Sequence, residues 1–131
     1  MKDDVSPEVW LKKDLVAQKL LEMSHLKKET LLPLMYYTRE NGITFEKIAK
    51  KMKIRQPNAW KRYQKAKNEI LRSFCTLKLA LHAGVLDEKV ADLIKDDLLD
   101  YLGLLRNEVD ESEAKYRMEK RMIELINRLK K

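Results

Sequence analysis

The chain has 131 residues, which suits one ordinary domain or one small domain with an appended helical arm. Its 44% hydrophobic residues can fill an interior, and its 37% charged residues, against roughly 25% in an average soluble protein, call for a densely ionic surface, so disorder is not the expectation. Three glycines and three prolines are too few turn formers for a sandwich, barrel or doubly wound sheet, so the expected fold class is all-α, and the net charge of +7 becomes informative only when it is divided along the chain.

Ser6 before Pro7 opens the first helix, a capping hydroxyl ahead of a proline whose missing N–H has no bond to lose. Trp10, Leu11, Leu15, Val16, Leu20 and Met23 recur at three- and four-residue spacing, which predicts one helix through about residue 23 whose apolar face needs a partner. Thr30 is placed to cap a second helix, which puts Pro33 in its first turn and ends it at Asn41–Gly42. A longer helix kinked at Pro33 is the other reading. After Gly42, Thr44 opens a short helix with Phe45, Ile48, Ala49 and Met52 on one side and Lys47, Lys50 and Lys51 elsewhere.

KIRQPN holds no helical period, and the next helix is expected to start near Pro57. Its apolar series, Ala59, Tyr63, Ala66, Ile70, Phe74, Leu77 and Leu81, runs to Ala83–Gly84 and predicts an unusually long helix. Asp87 caps a further helix with a broad apolar surface and an acidic side at Asp92, Asp96, Asp97 and Asp100. Asp110 and Glu113 have the spacing of a capping box, so a last helix is expected from there, with Ala114, Met118, Met122, Leu125 and Leu129 along a pairing seam. No glycine or proline enforces that break, so one continuous helix over 88–130 is the alternative.

Divided along the chain, the charge is informative. Residues 1–43 are neutral, residues 74–131 carry −1, and residues 44–73 carry ten basic side chains against two acidic ones, a net of +8. Confinement of the whole excess to thirty central residues is what a polyanion-binding face requires.

Two short helices, a tight turn and a basic helix form the arrangement that sets a recognition helix in the DNA major groove. In GITFEKIAKKMKIRQPNAWKRYQKA, Ile48, Ala49, Met52, Ile54, Ala59 and Tyr63 are apolar or small, and Ala49 is the residue that lets the two helices cross closely. The stretch from Leu26 to Leu71 resembles the helix-turn-helix of the sigma-70 region 4 and LuxR-type families, over about a third of the chain. It departs from them at Lys53, where those families usually have glycine, and at Arg55, where they usually have a small capping residue. A lysine at positive φ costs on the order of 1 kcal/mol, within what a packed core absorbs. The resemblance implies a trihelical helix-turn-helix core that binds double-stranded DNA.

With Ala59, Tyr63, Ala66 and Ile70 inward, Asn58, Lys61, Gln64, Lys65, Asn68 and Arg72 face outward at roughly 100° per residue. Gln56, Asn58, Lys61, Gln64 and Lys65 are the expected base contacts, since amides pair bidentately with adenine and lysine donates to guanine. Thr44, Lys47, Lys50, Lys51, Lys53, Arg55 and Arg62 are the expected phosphate contacts, which give affinity and steep salt dependence without sequence preference. Trp60, beside the stripe, is assigned to core packing, with the sugar-phosphate edge as its other place; Trp10, Tyr36 and Tyr37 are assigned to the core or a partner, and Cys75 to a small buried hydrophobe.

A single cysteine closes no intrachain disulfide, and His25 and His82 lie too far apart in sequence for a metal site, so no metal or cofactor is expected. There is no phosphate-binding glycine loop or activated nucleophile, so an enzyme is not expected either. No stretch approaches the roughly 18 to 20 apolar residues of a membrane span, and MKDDVSPEVW lacks the order of a signal peptide, which puts the expectation in the cytoplasm.

The expected organisation is an N-terminal helix over 1–25, a helix-turn-helix domain over 26–84 and C-terminal helices over 85–131 serving as a dimerisation arm. Leu98, Tyr101, Leu102, Leu105 and Val109, then Met118, Met122, Leu125 and Leu129, are the expected homodimer interface, with Gly103 permitting close approach. The function expected is a small sequence-specific transcriptional regulator. Its alternatives are an adaptor that contacts a protein or the transcription machinery, using the acidic side at Asp92 to Asp100, and a plasmid or nucleoid maintenance protein.

Overall fold

The computed structural model describes residues 5–130; residues 1–4 and 131, which begin and end the expected first and last segments, lie outside the described residues. The fold is all-α: among the described residues there are seven helices and no strand. They are α1 (Pro7–Lys13), α2 (Leu15–Met23), α3 (Lys28–Arg39), α4 (Phe45–Met52), α5 (Gln56–His82), α6 (Glu88–Leu105) and α7 (Glu111–Lys130). They form two compact units that meet within α5, at Cys75–Thr76, whereas the sequence suggests a boundary after Gly84.

In the first unit the single N-terminal helix expected from the apolar spacing is two. Ser6 caps α1 by accepting from the Val9 N–H at 3.2 Å, as anticipated, but the chain turns extended at Asp14, whose carboxylate accepts from the Ala17 N–H at 2.9 Å and restarts the helix. Gln18 Nε2 then donates to the Leu11 and Lys12 carbonyls at 3.0 and 2.6 Å, which satisfies the end of α1. Helix α1 is fastened to α3: the Tyr36 hydroxyl donates to Glu8, Arg39 donates to the Val5 carbonyl at 3.3 Å, and its guanidinium lies 5.3 Å from the Trp10 ring centre. Burial and then the bond to the Glu8 carboxylate push the Tyr36 hydroxyl well above its ordinary pKa, so it stays a donor at any ordinary pH.

Thr30 is not the first capping residue of α3 but the third residue in, where its hydroxyl accepts from the Lys27 N–H at 3.3 Å. The helix begins at Lys28, and Thr30 sits in its first turn, buried, with its hydroxyl donating back to the Lys27 carbonyl at 3.0 Å. Pro33 therefore lies a turn further in than the first turn, where it removes one helical bond but is fully buried.

The second unit contains a hairpin, α6 packed on α7. Asp87 and Asp110 cap the two helices as their spacing predicts, accepting from Val90 at 2.9 Å and Glu113 at 3.0 Å. The break between them is real, and Asn107 makes it: at φ 55° it takes the left-handed conformation that ends a helix, and Glu108 N–H reaches the Gly103 carbonyl at 2.9 Å. A Cβ on Gly103 would lie 2.8 Å from Val109 Cγ1, so the glycine makes room for this turn's own valine.

Between the helices lies an ion cluster. Asp100, nearly buried, accepts from Arg117 at 2.7 and 3.1 Å and from Arg121, which also donates to Asp97 at 2.7 Å. The bonds from Arg117 hold the Asp100 carboxyl down at about 2, whereas burial raises Asp97 against the pull of Arg121. A depressed carboxyl contributes stability that is present above its unfolded value and is lost as pH falls through the folded one. The Asp100 contribution is therefore complete above about pH 4 and disappears toward pH 2, while Asp97 works in the opposite sense. Asp100→Ala should cost about 2 kcal/mol in urea unfolding at pH 7, and the difference from wild type should shrink as pH drops from about 4 to 2. Equal stability of the two proteins at pH 7 would show the cluster to be idle.

Candidate nucleic-acid interface

The basic segment is built from α4, a turn at Lys53–Arg55, and the first half of α5. Thr44 caps α4, its hydroxyl accepting from the Lys47 N–H at 3.2 Å. One side of α4 enters a buried cluster in which Ile48 and Ala49 meet Tyr36 of α3, Ile43 and Ala59 of α5, with Phe45, Met52 and Ile54 against it. The small side chains at 49 and 59 are those the sequence marks for close approach, and both are buried. A ring of aromatics joins the same helices: Tyr37, Phe45 and Tyr63 have centroids 4.7 to 5.1 Å apart, Tyr37 stacked on Phe45 and Tyr63 inclined to both.

The turn uses the unfavoured residue as a glycine would be used. Lys53 adopts φ 57° and ψ 44°, its N–H faces the Lys50 carbonyl at 3.3 Å, and Ile54 N–H reaches back to the Ala49 carbonyl at 3.0 Å. These paired bonds, with the residue after the left-handed one packed into the core, form a Schellman ending. Arg55 follows, its carbonyl accepting from Asn58 and Ala59 at 3.0 and 3.1 Å, and α5 begins at Gln56, one residue before Pro57.

Along α5, Ala59, Tyr63 and Ala66 are buried, and the expected base contacts Gln56, Asn58, Lys61, Gln64 and Lys65 are all exposed, as is Asn68. Ile70 departs from the expected inward face and is exposed. Trp60 is 49% exposed, so it does not serve as core; it lies on the open side among Asn58, Lys61 and Gln64. Cys75 is exposed rather than buried, because the part of α5 that carries it has left the cluster.

The expected phosphate contacts divide. Thr44, Lys47, Lys53 and Arg55 are exposed, and Arg62 is half-buried. Lys50 lies 3.6 Å from Glu46, and Lys51 bonds Glu40 at 2.9 Å with its ammonium 5.3 Å from the Tyr36 ring centre, so Lys51 is held toward α3. Lys67, not among the expected contacts, sits 5.2 Å from the Tyr63 ring centre on the same helix.

The expected dimer set divides more sharply. Leu98, Leu102, Leu105 and Leu129 are exposed, but Tyr101, Val109 and Met118 pack with Leu104 and Ala114 inside the hairpin, and Met122 and Leu125 are half-buried. The acidic side divides too: Asp92 and Asp96 stay exposed near Lys95, while Asp97 and Asp100 are taken by the arginines. Those arginines escape a reading made helix by helix. The available signal is two acids three residues apart on one helix and two arginines four apart on the next.

Against models of known families, curated proteins and solved structures, the chain gives no match. The likeness to the sigma-70 region 4 and LuxR-type motif therefore rests on the quoted residues alone. Among the described residues no helix is long and apolar enough to cross a membrane.

Lys53→Gly relieves the left-handed strain and should raise stability by roughly 0.5 to 1 kcal/mol in denaturant unfolding. A loss of stability would mean that the lysine side chain makes a contact worth more than the strain.

Proposed function

We propose that the chain binds double-stranded DNA and reads sequence with the first three turns of α5, as a helix-turn-helix regulator would. The observation that carries this reading is the sorting of side chains on one basic helix: apolar Ala59, Tyr63 and Ala66 are tucked in, and Gln56, Asn58, Lys61, Gln64 and Lys65 are all open to solvent at the helix start. The excess of positive charge over residues 44–73 supports a polyanionic partner, and the amides supply what a purely electrostatic binder does not need. Lys47, Lys53 and Arg55, exposed around the turn, are the phosphate anchors of this reading, with Lys50 contributing once it leaves Glu46. Lys51 contributes least, because binding phosphate would cost it both Glu40 and the Tyr36 ring. Trp60, on the open face, stacks against the sugar-phosphate edge.

The same groove-facing helix serves gene regulation, plasmid partition or nucleoid maintenance, and regulation is the reading preferred here because base-reading amides imply particular sites. The adaptor reading is weaker, since half of the acidic side it relies on is occupied within the α6–α7 hairpin.

Selection from a random duplex pool should return a defined motif, and a salt titration on that motif should give a steep log–log slope. Lys47→Ala and Arg55→Ala should each reduce the slope by about 1, on specific and random duplex alike. Asn58→Ala should cost about 1 to 3 kcal/mol on the selected motif and almost nothing on random duplex. A slope untouched by either basic substitution would remove the proposed face.

A further inference from the structure

Half of the amide side chains in the protein stand on one short stretch. Of eight asparagines and glutamines in the sequence, four, Gln56, Asn58, Gln64 and Asn68, fall within the first thirteen residues of α5, a tenth of the chain. Helix formation does not account for them, since asparagine is among the weaker helix formers. Internal bonding does not account for them either. Gln18 is spent on the carbonyls that end α1, and Asn107 on the left-handed turn that ends α6. The four on α5 are exposed, and among the described residues their side chains bond to nothing in the protein.

The cations among them are of one kind. Over residues 56–68 the exposed cations are Lys61, Lys65 and Lys67, and Lys67 is drawn to the Tyr63 ring, while Arg62 is half-buried. The surface thus offers no open arginine, the side chain whose fork most often takes guanine.

We infer that this surface selects B-form DNA rich in A·T pairs, with Gln64 and Asn68 each taking an adenine through N6 and N7. The inference rests on the duplex reading proposed above and adds to it the kind of base pair that is read. At about 100° per residue, Lys61, Gln64 and Asn68 fall on the side opposite Ala59, Tyr63 and Ala66, so the base-reading ridge extends one turn past the first three. Gln64 and Asn68 are about 6 Å apart along the helix axis, close to two base-pair steps of about 3.4 Å, so the adenines they meet lie about two pairs apart. An amide suits adenine because its oxygen accepts from N6 and its nitrogen donates to N7, both on the major-groove edge. Lysine donates to guanine as a single flexible point charge, so Lys61 and Lys65 admit a G·C pair without demanding one. Duplex RNA hides the same edges in a groove too deep and narrow for side chains to read.

Fluorescence anisotropy of the full chain on the duplex returned by random-pool selection tests this, with far-UV circular dichroism as the control for folding. The selected motif should be mostly A and T. Replacing an amide-read adenine by 7-deazaadenine removes N7 and keeps the base pair, and should weaken wild-type binding about three- to tenfold. The same replacement at the Asn68 position should leave Asn68→Ala binding unchanged. Gln64→Glu should move the preferred base at its position from adenine to cytosine, because a carboxylate accepts from cytosine N4 and has nothing to donate to N7. If the glutamate reduces helicity, Gln64→Ala in a folded chain should relax that one position. Duplex RNA of the same sequence should fail to compete. A G·C-rich motif, wild-type binding indifferent to 7-deazaadenine at every adenine, or a folded Gln64→Glu protein that keeps the adenine preference overturns the inference and leaves duplex binding standing. Salt-sensitive binding with no preferred base does the same, whereas no binding to any duplex at low salt overturns both.

Discussion

Small side chains at 49 and 59, buried with Ile48 and Tyr36, let α4 and the start of α5 share one cluster, and the direction in which every basic residue of the central segment points depends on it. A larger residue at either place would force the helices apart, and overpacking of a filled core costs about 1 to 3 kcal/mol. The aromatics Tyr37, Phe45 and Tyr63 then fix the rotation of each helix about its own axis, since inclined and stacked rings tolerate little sliding. Once Tyr63 is turned inward, the helical period leaves Lys61, Gln64 and Lys65 outside without any further instruction.

The two halves of α5 live under different constraints. Up to Ala66 its apolar side is satisfied within the first unit; beyond that the same side is open, with leucine, isoleucine and phenylalanine in water. The α6–α7 hairpin is held together differently, by the Leu104, Ala114 and Met118 cluster and by paired arginines on Asp97 and Asp100. A carboxylate with little access to water is tolerable only because three guanidinium bonds replace its hydration. That arrangement fixes the register of α6 on α7 more strictly than a leucine seam, which can slide by a turn.

Much of the fold was legible in the sequence. The helical class follows from scarce glycine and proline, and four caps, Ser6, Thr44, Asp87 and Asp110, do what their hydroxyls and carboxylates imply. The burial of Ala49, Ala59 and Tyr63 follows from spacing alone. What spacing does not reveal is where a helix stops without a glycine or proline. Asp14 interrupts an apolar period that continues unbroken on either side of it, and Asn107 ends α6 by taking a conformation that its short polar side chain merely permits. Thr30 misleads because a threonine bonds as readily to a carbonyl behind it as to an N–H ahead. Apolar spacing also does not say how far a face is covered: Ile70, Phe74 and Leu77 extend the period of Ala59 and Tyr63, but the cover ends before them. The open polar face of α5 was legible for the same reason as its buried face. Which lysines are already held by acids was not, because Glu40 comes to Lys51 from another helix.

The most direct test of the whole account is an amide chemical-shift map of the full chain titrated with its selected duplex at low salt. Shifts should concentrate in α4, the turn at Lys53–Arg55 and residues 56–65 of α5, and should fade as salt is raised. Shifts confined to α6 and α7, or no shifts at any ionic strength, would contradict it.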